Sequence, residues 1–308
     1  IVHPDGITGV IYKAGEQVAT LTTDKNGQAS VDGLYLGDYY VKEISPSVGY
    51  LADETEHDLV CNYEGDLAAE VKRDCVSLEQ VMKQPFQIIK AANNGKTDAD
   101  LLKGAGFTAY LESSLTKKAD GSYDFASATP VVIGENGATE MFTDEKGYAC
   151  SIALPYGTYI VRETTTPHNY TPVDDFTVCI TENNPNQPQT WRVLLDDEFE
   201  AKLKIIKQDD ETKKPVLQKN TEFKIYDLDH KKYVEQVTTY PTTVKHKSYF
   251  TDAEGYLILP QNLKIGNYRI EEVNAPFGYT LNENYYEVTV DSNTAYQMDG
   301  TSGDVIIE

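Results

Sequence analysis

Apolar and polar residues alternate along much of this chain. Tyr39-x-Val41-x-Glu43, Tyr159-x-Val161-x-Glu163 and Tyr268-x-Ile270-x-Glu272 each set an aromatic, a β-branched residue and a carboxyl at every second position. A period of two is the signature of a β-strand with one buried face. Phe86-Gln87-Ile88-Ile89-Lys90 and Leu203-Lys204-Ile205-Ile206-Lys207 obey the same rule, and each ends on a lysine that shares the parity of its apolar neighbours. No long stretch carries a helical period. Turn signals recur about every 8–12 residues, which predicts an all-β chain of tandem immunoglobulin-like sandwiches.

Those strands belong to a threefold internal repeat. Thr23-Asp24-x-x-Gly27, Thr143-Asp144-x-x-Gly147 and Thr251-Asp252-x-x-Gly255 each open a copy. Asp in such a turn binds backbone amides and Gly supplies a positive φ. Each copy continues through a glycine (Gly37, Gly157, Gly266), the tyrosine two residues on, and a glutamate. A proline and a second tyrosine follow: Pro46 and Tyr50, Pro167 and Tyr170, Pro276 and Tyr279. Glu43, Glu163 and Glu272 are separated by 120 and then 109 residues, a spacing of whole domains rather than solenoid turns.

If the alternating face is the core, both a lysine and a glutamate are buried there. Burial favours the neutral forms of each, and a neutral amine is a nucleophile. The electrophile is expected on the strand next to the lysine strand. In Trp191-Arg192-Val193-Leu194-Leu195-Asp196-Asp197, the apolar residues Trp191, Val193 and Leu195 share parity with Asp197, which predicts Asp197 inward and Asp196 as the alternate. The matching segment Val76-Ser77-Leu78-Glu79-Gln80 places Gln80 inward beside Glu43. In the third copy Lys207 and Glu272 recur, and the segment Val305-Ile306-Ile307-Glu308 puts the acceptor beyond the chain end. A buried salt-bridge network and a covalent condensation both fit these residues.

The chain has 308 residues and a net charge of -22, so it offers no basic surface for nucleic acid or for an anionic membrane. No stretch of about 18 apolar residues exists to span a bilayer. His3, His57, His168, His230 and His246 are scattered without metal-ligand spacing, and the acidic runs Asp196-Asp197-Glu198 and Asp209-Asp210-Glu211 lack the alternation of a calcium loop. No metal or cofactor is expected. Cys61, Cys75, Cys150 and Cys179 form no zinc pattern. Disulfides 61–75 and 150–179 would suit an oxidising setting; four unpaired, half-buried small side chains is the preferred reading.

The combination Thr-Asp-x-x-Gly, Gly-x-Tyr-x-x-x-Glu and Pro-x-Gly-Tyr, with a lysine closing an early strand, resembles the Cna protein B-type (CnaB, SpaA-like pilin) domains of Gram-positive surface proteins. The resemblance covers nearly the whole chain. It implies an immunoglobulin-like sandwich, a spontaneous lysine–Asn/Asp isopeptide bond assisted by glutamate, and a place at the cell surface as a pilin or adhesin stalk, often attached to the wall by sortase. On this basis residues 1–84 form a first domain that lacks its lysine strand, 85–198 a complete domain with an insertion near 113–140, and 199–308 a third domain that stops before its acceptor. Lys90 would join Asp197 (or Asp196) with Glu163 as proton shuttle, and Lys207 would work with Glu272. Glu43 and Gln80 mark a degenerate site where no bond is expected. The implied role is a structural stalk with no external substrate, the implied partners being the rest of a wall-anchored parent and sortase-linked pilins. The alternative is an adhesin module whose inserted loops recognise host matrix or glycan, for which Tyr123 and Phe125 are only weak hints.

Overall fold

The computed structural model of the protein describes residues 9–308, so His3 lies outside them. The chain divides into two compact units, residues 1–80 and 81–308. The described residues are built into strands, with two short 3₁₀ turns at Glu112–Ser114 and Glu135–Gly137.

In the first unit, Gly37–Val41 pairs antiparallel with His57–Cys61. Among the described residues of this unit no apolar side chain is buried. A two-stranded ribbon has no opposing layer to close against.

The second repeat is a two-layer sandwich. One sheet runs Glu140–Phe142, Gly106–Leu111, Gly157–Thr165, Phe176–Ile180; the other runs Tyr148–Cys150, Gln87–Ala92, Arg192–Asp196. Between them lies a core that includes Phe86, Ile88, Phe107, Val161 and Val178, all without exposure. Burying each such side chain contributes about 1.5–3 kcal/mol. The third repeat builds a separate core around Leu203, Ile225, Leu259 and Ile307. Its lysine strand is Glu200–Ile206 and its glutamate strand Gly266–Asn274. In both repeats the final strand runs parallel to the lysine strand: Leu194 pairs with Lys90, and Ile307 with Leu203.

The repeated motifs have structural duties. Asp144 Oδ1 accepts the amides of Lys146 (2.8 Å) and Tyr148 (3.0 Å), and Asp252 Oδ1 does the same for Glu254 and Tyr256. The turn so formed presents the Gly147 carbonyl to the Lys90 amide at 2.7 Å, and Gly255 to Lys207 at 2.9 Å. Gly147 has φ +65°, and a Cβ there would lie 2.3 Å from the Lys90 carbonyl oxygen. The motif is therefore a cradle for the lysine's backbone. The tyrosine after the second glycine anchors its own turn: the hydroxyls of Tyr39, Tyr159 and Tyr268 each donate to the carbonyl four residues upstream, at 2.6–2.8 Å.

The cysteines are unpaired; Cys75, Cys150 and Cys179 are exposed rather than half-buried, and Cys61 is intermediate.

Candidate functional site

Lys90 closes the inward face of its strand and is 0% exposed. Its ammonium nitrogen stands 2.7 Å from Glu163 Oε2 and also contacts Asp196 Oδ1. All three side chains are shut off from solvent, and the Phe107 ring covers the amine at 5.6 Å. Glu163 reaches this point because its strand carries it in register opposite Phe107, just before a bulge. The Val173 amide holds Glu163 Oε2 at 3.0 Å.

The acceptor-side group is Asp196, not Asp197. Asp197 is exposed, and its carboxylate accepts a hydrogen bond from Asn93 Nδ2 at 2.7 Å. The parity failed because the apolar residues of this strand face outward: Trp191, Val193 and Leu195 are 57%, 65% and 47% exposed. Trp191 stacks edge-on against Tyr148 on that outer face. Arg192 and Leu194 take the inner parity together with Asp196.

One lysine between two carboxyls leaves the site one positive charge short. A fully ionised buried triad with net negative charge is costly, and taking up a proton relieves it. Burial first, and the Glu163 charge with it, push the Asp196 carboxyl up to about 7 against the opposing pull of Lys90. Glu163 Oε1 and Asp196 Oδ2 are both buried without a partner. Two carboxyl oxygens buried side by side with one amine favour the neutral acid at Asp196.

The third repeat holds the same lysine–glutamate pair. Lys207 Nζ is 2.7 Å from Glu272 Oε2, with the side chains 13% and 3% exposed. Glu272 Oε1 is again buried and unpartnered. The final strand pairs with the lysine strand only at Lys202 and Leu203 and does not reach Lys207.

In the first repeat Gln80 is exposed and does not meet Glu43. Glu79 does, through a carboxyl–carboxyl hydrogen bond that raises Glu43 and lowers Glu79. The parity error is the same one-residue slip, with Val76 and Leu78 turned outward at 73% and 78% exposure. Glu43 keeps the backbone tie seen at Glu163, accepting the Asp53 amide.

In the insertion of the second repeat, Thr116–Lys117 and Tyr123–Asp124 form a small hairpin. Its aromatics are engaged internally. Phe125 packs on Tyr110 at 5.0 Å with the Arg162 guanidinium 4.0 Å over its ring, and Tyr123 donates to Glu112 beneath Lys117.

Comparison with known proteins fits this architecture. Residues 5–74, 85–192 and 201–303 match the model of the SpaA prealbumin-like fold domain. No curated protein sequence matches the chain. Among solved structures it is similar to the Bacillus anthracis TIE protein, at 26% identity and TM-score 0.40, over 88% of this chain and 42% of that one. The chain thus spans less than half the length of that relative. The shaft pilin SpaA of Lactobacillus rhamnosus GG matches at 17% identity and TM-score 0.31, over 73% of this chain and 97% of that one. A streptococcal ancillary pilin matches at 19% and 0.30, over 94% and 78% respectively. With the family model covering most of its length in three copies, the chain belongs to the SpaA prealbumin-like domain family.

Proposed function

We propose that this chain is a load-bearing stalk segment of a Gram-positive surface protein, pilin-like in role, whose second repeat crosslinks itself through a Lys90–Asp196 isopeptide bond. The observation that carries this reading is the solvent-free contact of one amine with two carboxyls, each of which has its second oxygen buried without a partner.

The chemistry balances without a cofactor. Lys90 passes its ammonium proton to the Glu163 carboxylate, and the freed amine attacks the carboxyl carbon of protonated Asp196, forming the C–N bond. Glu163 delivers that proton to the departing hydroxyl, which leaves as water as the C–O bond breaks, and takes up the proton released from the nitrogen. Fixed proximity of this kind lowers a barrier by about 7–11 kcal/mol. The event occurs once per molecule, so the chain has no turnover and no external substrate.

The bond would close a loop between residues 106 apart in sequence. By the chain-entropy model such a link stabilises by about 4.7 kcal/mol. It also joins the first and last strands of the sandwich, so a pull along the chain passes through covalent bonds instead of sheet hydrogen bonds. Sortase attachment and neighbouring pilins are the partners consistent with this role.

In the third repeat the ladder has the same 104-residue offset as in the second, since Leu203 pairs with Ile307 as Lys90 pairs with Leu194. Carried forward, the position equivalent to Asp196 falls five residues past Glu308, further out than the strand pattern alone predicts.

The decisive measurement is intact mass. Wild-type chain is expected about 18 Da below its sequence mass, one water lost by condensation, and Glu163→Ala at its full sequence mass. Wild type at full sequence mass overturns the bond in the second repeat.

A further inference from the structure

Each repeat follows its glutamate strand with a tight turn that ends on a tyrosine. The turn closes in the same way each time: the amides of Tyr50, Tyr170 and Tyr279 donate to the carbonyls of Ser47, Pro167 and Pro276, at 3.1–3.2 Å. The residue before the tyrosine is left-handed in all three, Gly49 at φ +87°, Asn169 at +68° and Gly278 at +87°. Glycine is the residue that this conformation favours, and an asparagine there accepts strain. Strain held at one copy of a repeated turn calls for a local reason.

Asn169 spends its polar groups on the next repeat and on the linker that leads to it. Its Oδ1 accepts the Ser292 amide at 3.1 Å, and its own amide donates to Ser292 Oγ at 3.0 Å. Its carbonyl accepts the Phe199 amide at 2.8 Å. Beside it, His168 Nε2 lies 3.0 Å from Asp291 Oδ1. The linker, Asp197 to Phe199, is pinned along the same turn: the Thr171 amide donates to the Asp197 carbonyl, and Tyr170 bridges Glu198. Phe199 then enters the core of the third repeat, where its ring meets Tyr296 at 5.5 Å.

We infer that the Pro167–Tyr170 turn is an interdomain clasp, in which Asn169 ties the second repeat to the Asp291–Ser292 turn of the third and so fixes the angle between them. The linker alone is one attachment, about which two bodies can pivot. The Asn169–Ser292 pair is a second attachment on a different element, and two attachments suppress the pivot. The sister turns carry glycine at the position of Asn169 and have no side chain there with which to make such a tie. The clasp stands whether or not the isopeptide bond forms, because none of its atoms belongs to the Lys90 site.

The test uses the full chain with Cys61, Cys75 and Cys179 changed to serine, spin labels at exposed Cys150 and at Lys245→Cys, and pulsed electron–electron distance measurement. The parent is expected to give one narrow distance distribution. Asn169→Gly combined with Ser292→Ala is expected to broaden it at least about twofold, because the glycine keeps the left-handed turn while both side-chain ties are lost. Thermal unfolding of the second repeat is expected to stay unchanged or rise. A distribution already broad in the parent, or equally narrow in the variant, overturns the clasp. So does a lower unfolding temperature of the second repeat in the variant, which would show that Asn169 serves its own sandwich.

Discussion

Lys90 and Asp196 reach each other diagonally across a parallel strand pair: Leu194 is the residue opposite Lys90, and Asp196 lies two positions further along, opposite Ala92. The lysine is the longer side chain, and it leans forward along its strand to bridge that offset. The diagonal specifies the acceptor. Asp196→Ala is expected to abolish the crosslink and return the chain to its sequence mass, whereas Asp197→Ala leaves it intact. Asp196→Asn keeps an electrophilic carbonyl, so a bond still forms with loss of ammonia, about 17 Da by the same proximity-driven condensation. Peptide mapping that finds Lys90 joined to Asp197 would refute this geometry.

The raised Asp196 carboxyl gives the proposed condensation a pH dependence. In that proposal Asp196 reacts as the neutral acid, and burial is the chief cause that pushes its carboxyl up to about 7. Below that value the acid form predominates; each further unit of pH above it removes about ninety per cent of what remains. Chain recovered unfolded from inclusion bodies and diluted into buffers between about pH 6 and pH 9 should therefore crosslink progressively more slowly above neutrality, by about tenfold per unit at the alkaline end. The time course is read from gel mobility after denaturation. A rate that climbs with pH across this range would refute the requirement for a neutral Asp196.

Much of this site was visible in the alternation of residues. The lysine and glutamate positions follow directly from period two, because Phe86, Ile88 and Lys90, or Tyr159, Val161 and Glu163, share one face and the apolar members fix which face is inward. The acceptor was misplaced by one residue for the converse reason. On the last strand the apolar members, Trp191, Val193 and Leu195, line an outer face, so apolarity there pointed the wrong way. A signal did exist in the parity of Leu194 with Asp196, but one leucine was outweighed by a tryptophan, a valine and another leucine. The role of Thr-Asp-x-x-Gly as a support for the lysine's carbonyl and amide was not legible at all, since it depends on a contact between residues more than 50 positions apart.

That support can be tested at Gly147. Alanine there meets two penalties: φ of +65°, and a Cβ 2.3 Å from the Lys90 carbonyl oxygen, which belongs to the backbone and cannot swing aside. The left-handed backbone alone costs about 1–2 kcal/mol, and relieving the clash must displace the lysine strand. Gly147→Ala is expected to lower the unfolding temperature of the second repeat and to slow crosslinking. Gly121→Ala, at a left-handed turn with open space around it, controls for the backbone term alone. Equal effects from the two substitutions would show that the contact with Lys90 is unimportant.

Stability offers a further check on the crosslink. Lys90→Met fills the same space, cannot form the bond, and leaves two carboxyls able to share one proton. Losing a link of this loop length is expected to cost about 4–5 kcal/mol, or on the order of 20 °C in the unfolding temperature of a domain this size. Calorimetry of the full chain should show that drop in one transition and leave the third repeat's transition in place. A drop of only a few degrees would indicate that the sandwich core, rather than a covalent tie, carries the stability.

The third repeat isolates the cost of a broken pair from the loss of a bond. Lys207 and Glu272 touch at 2.7 Å with little solvent access, and among the described residues Glu272 is the carboxyl that meets the amine. Lys207→Ala therefore removes only a partner, leaving a buried glutamate whose Oε1 already lacks one. Breaking a buried ion pair from one side typically costs about 3–5 kcal/mol, because the remaining charge is stranded. Replacing both members, as in Lys207→Met with Glu272→Gln, strands no charge and should recover most of that loss. Chemical denaturation of the single and double variants measures the difference. If the double variant is no more stable than Lys207→Ala, the two side chains are not coupled, and the contact between them has no part in holding this sandwich together.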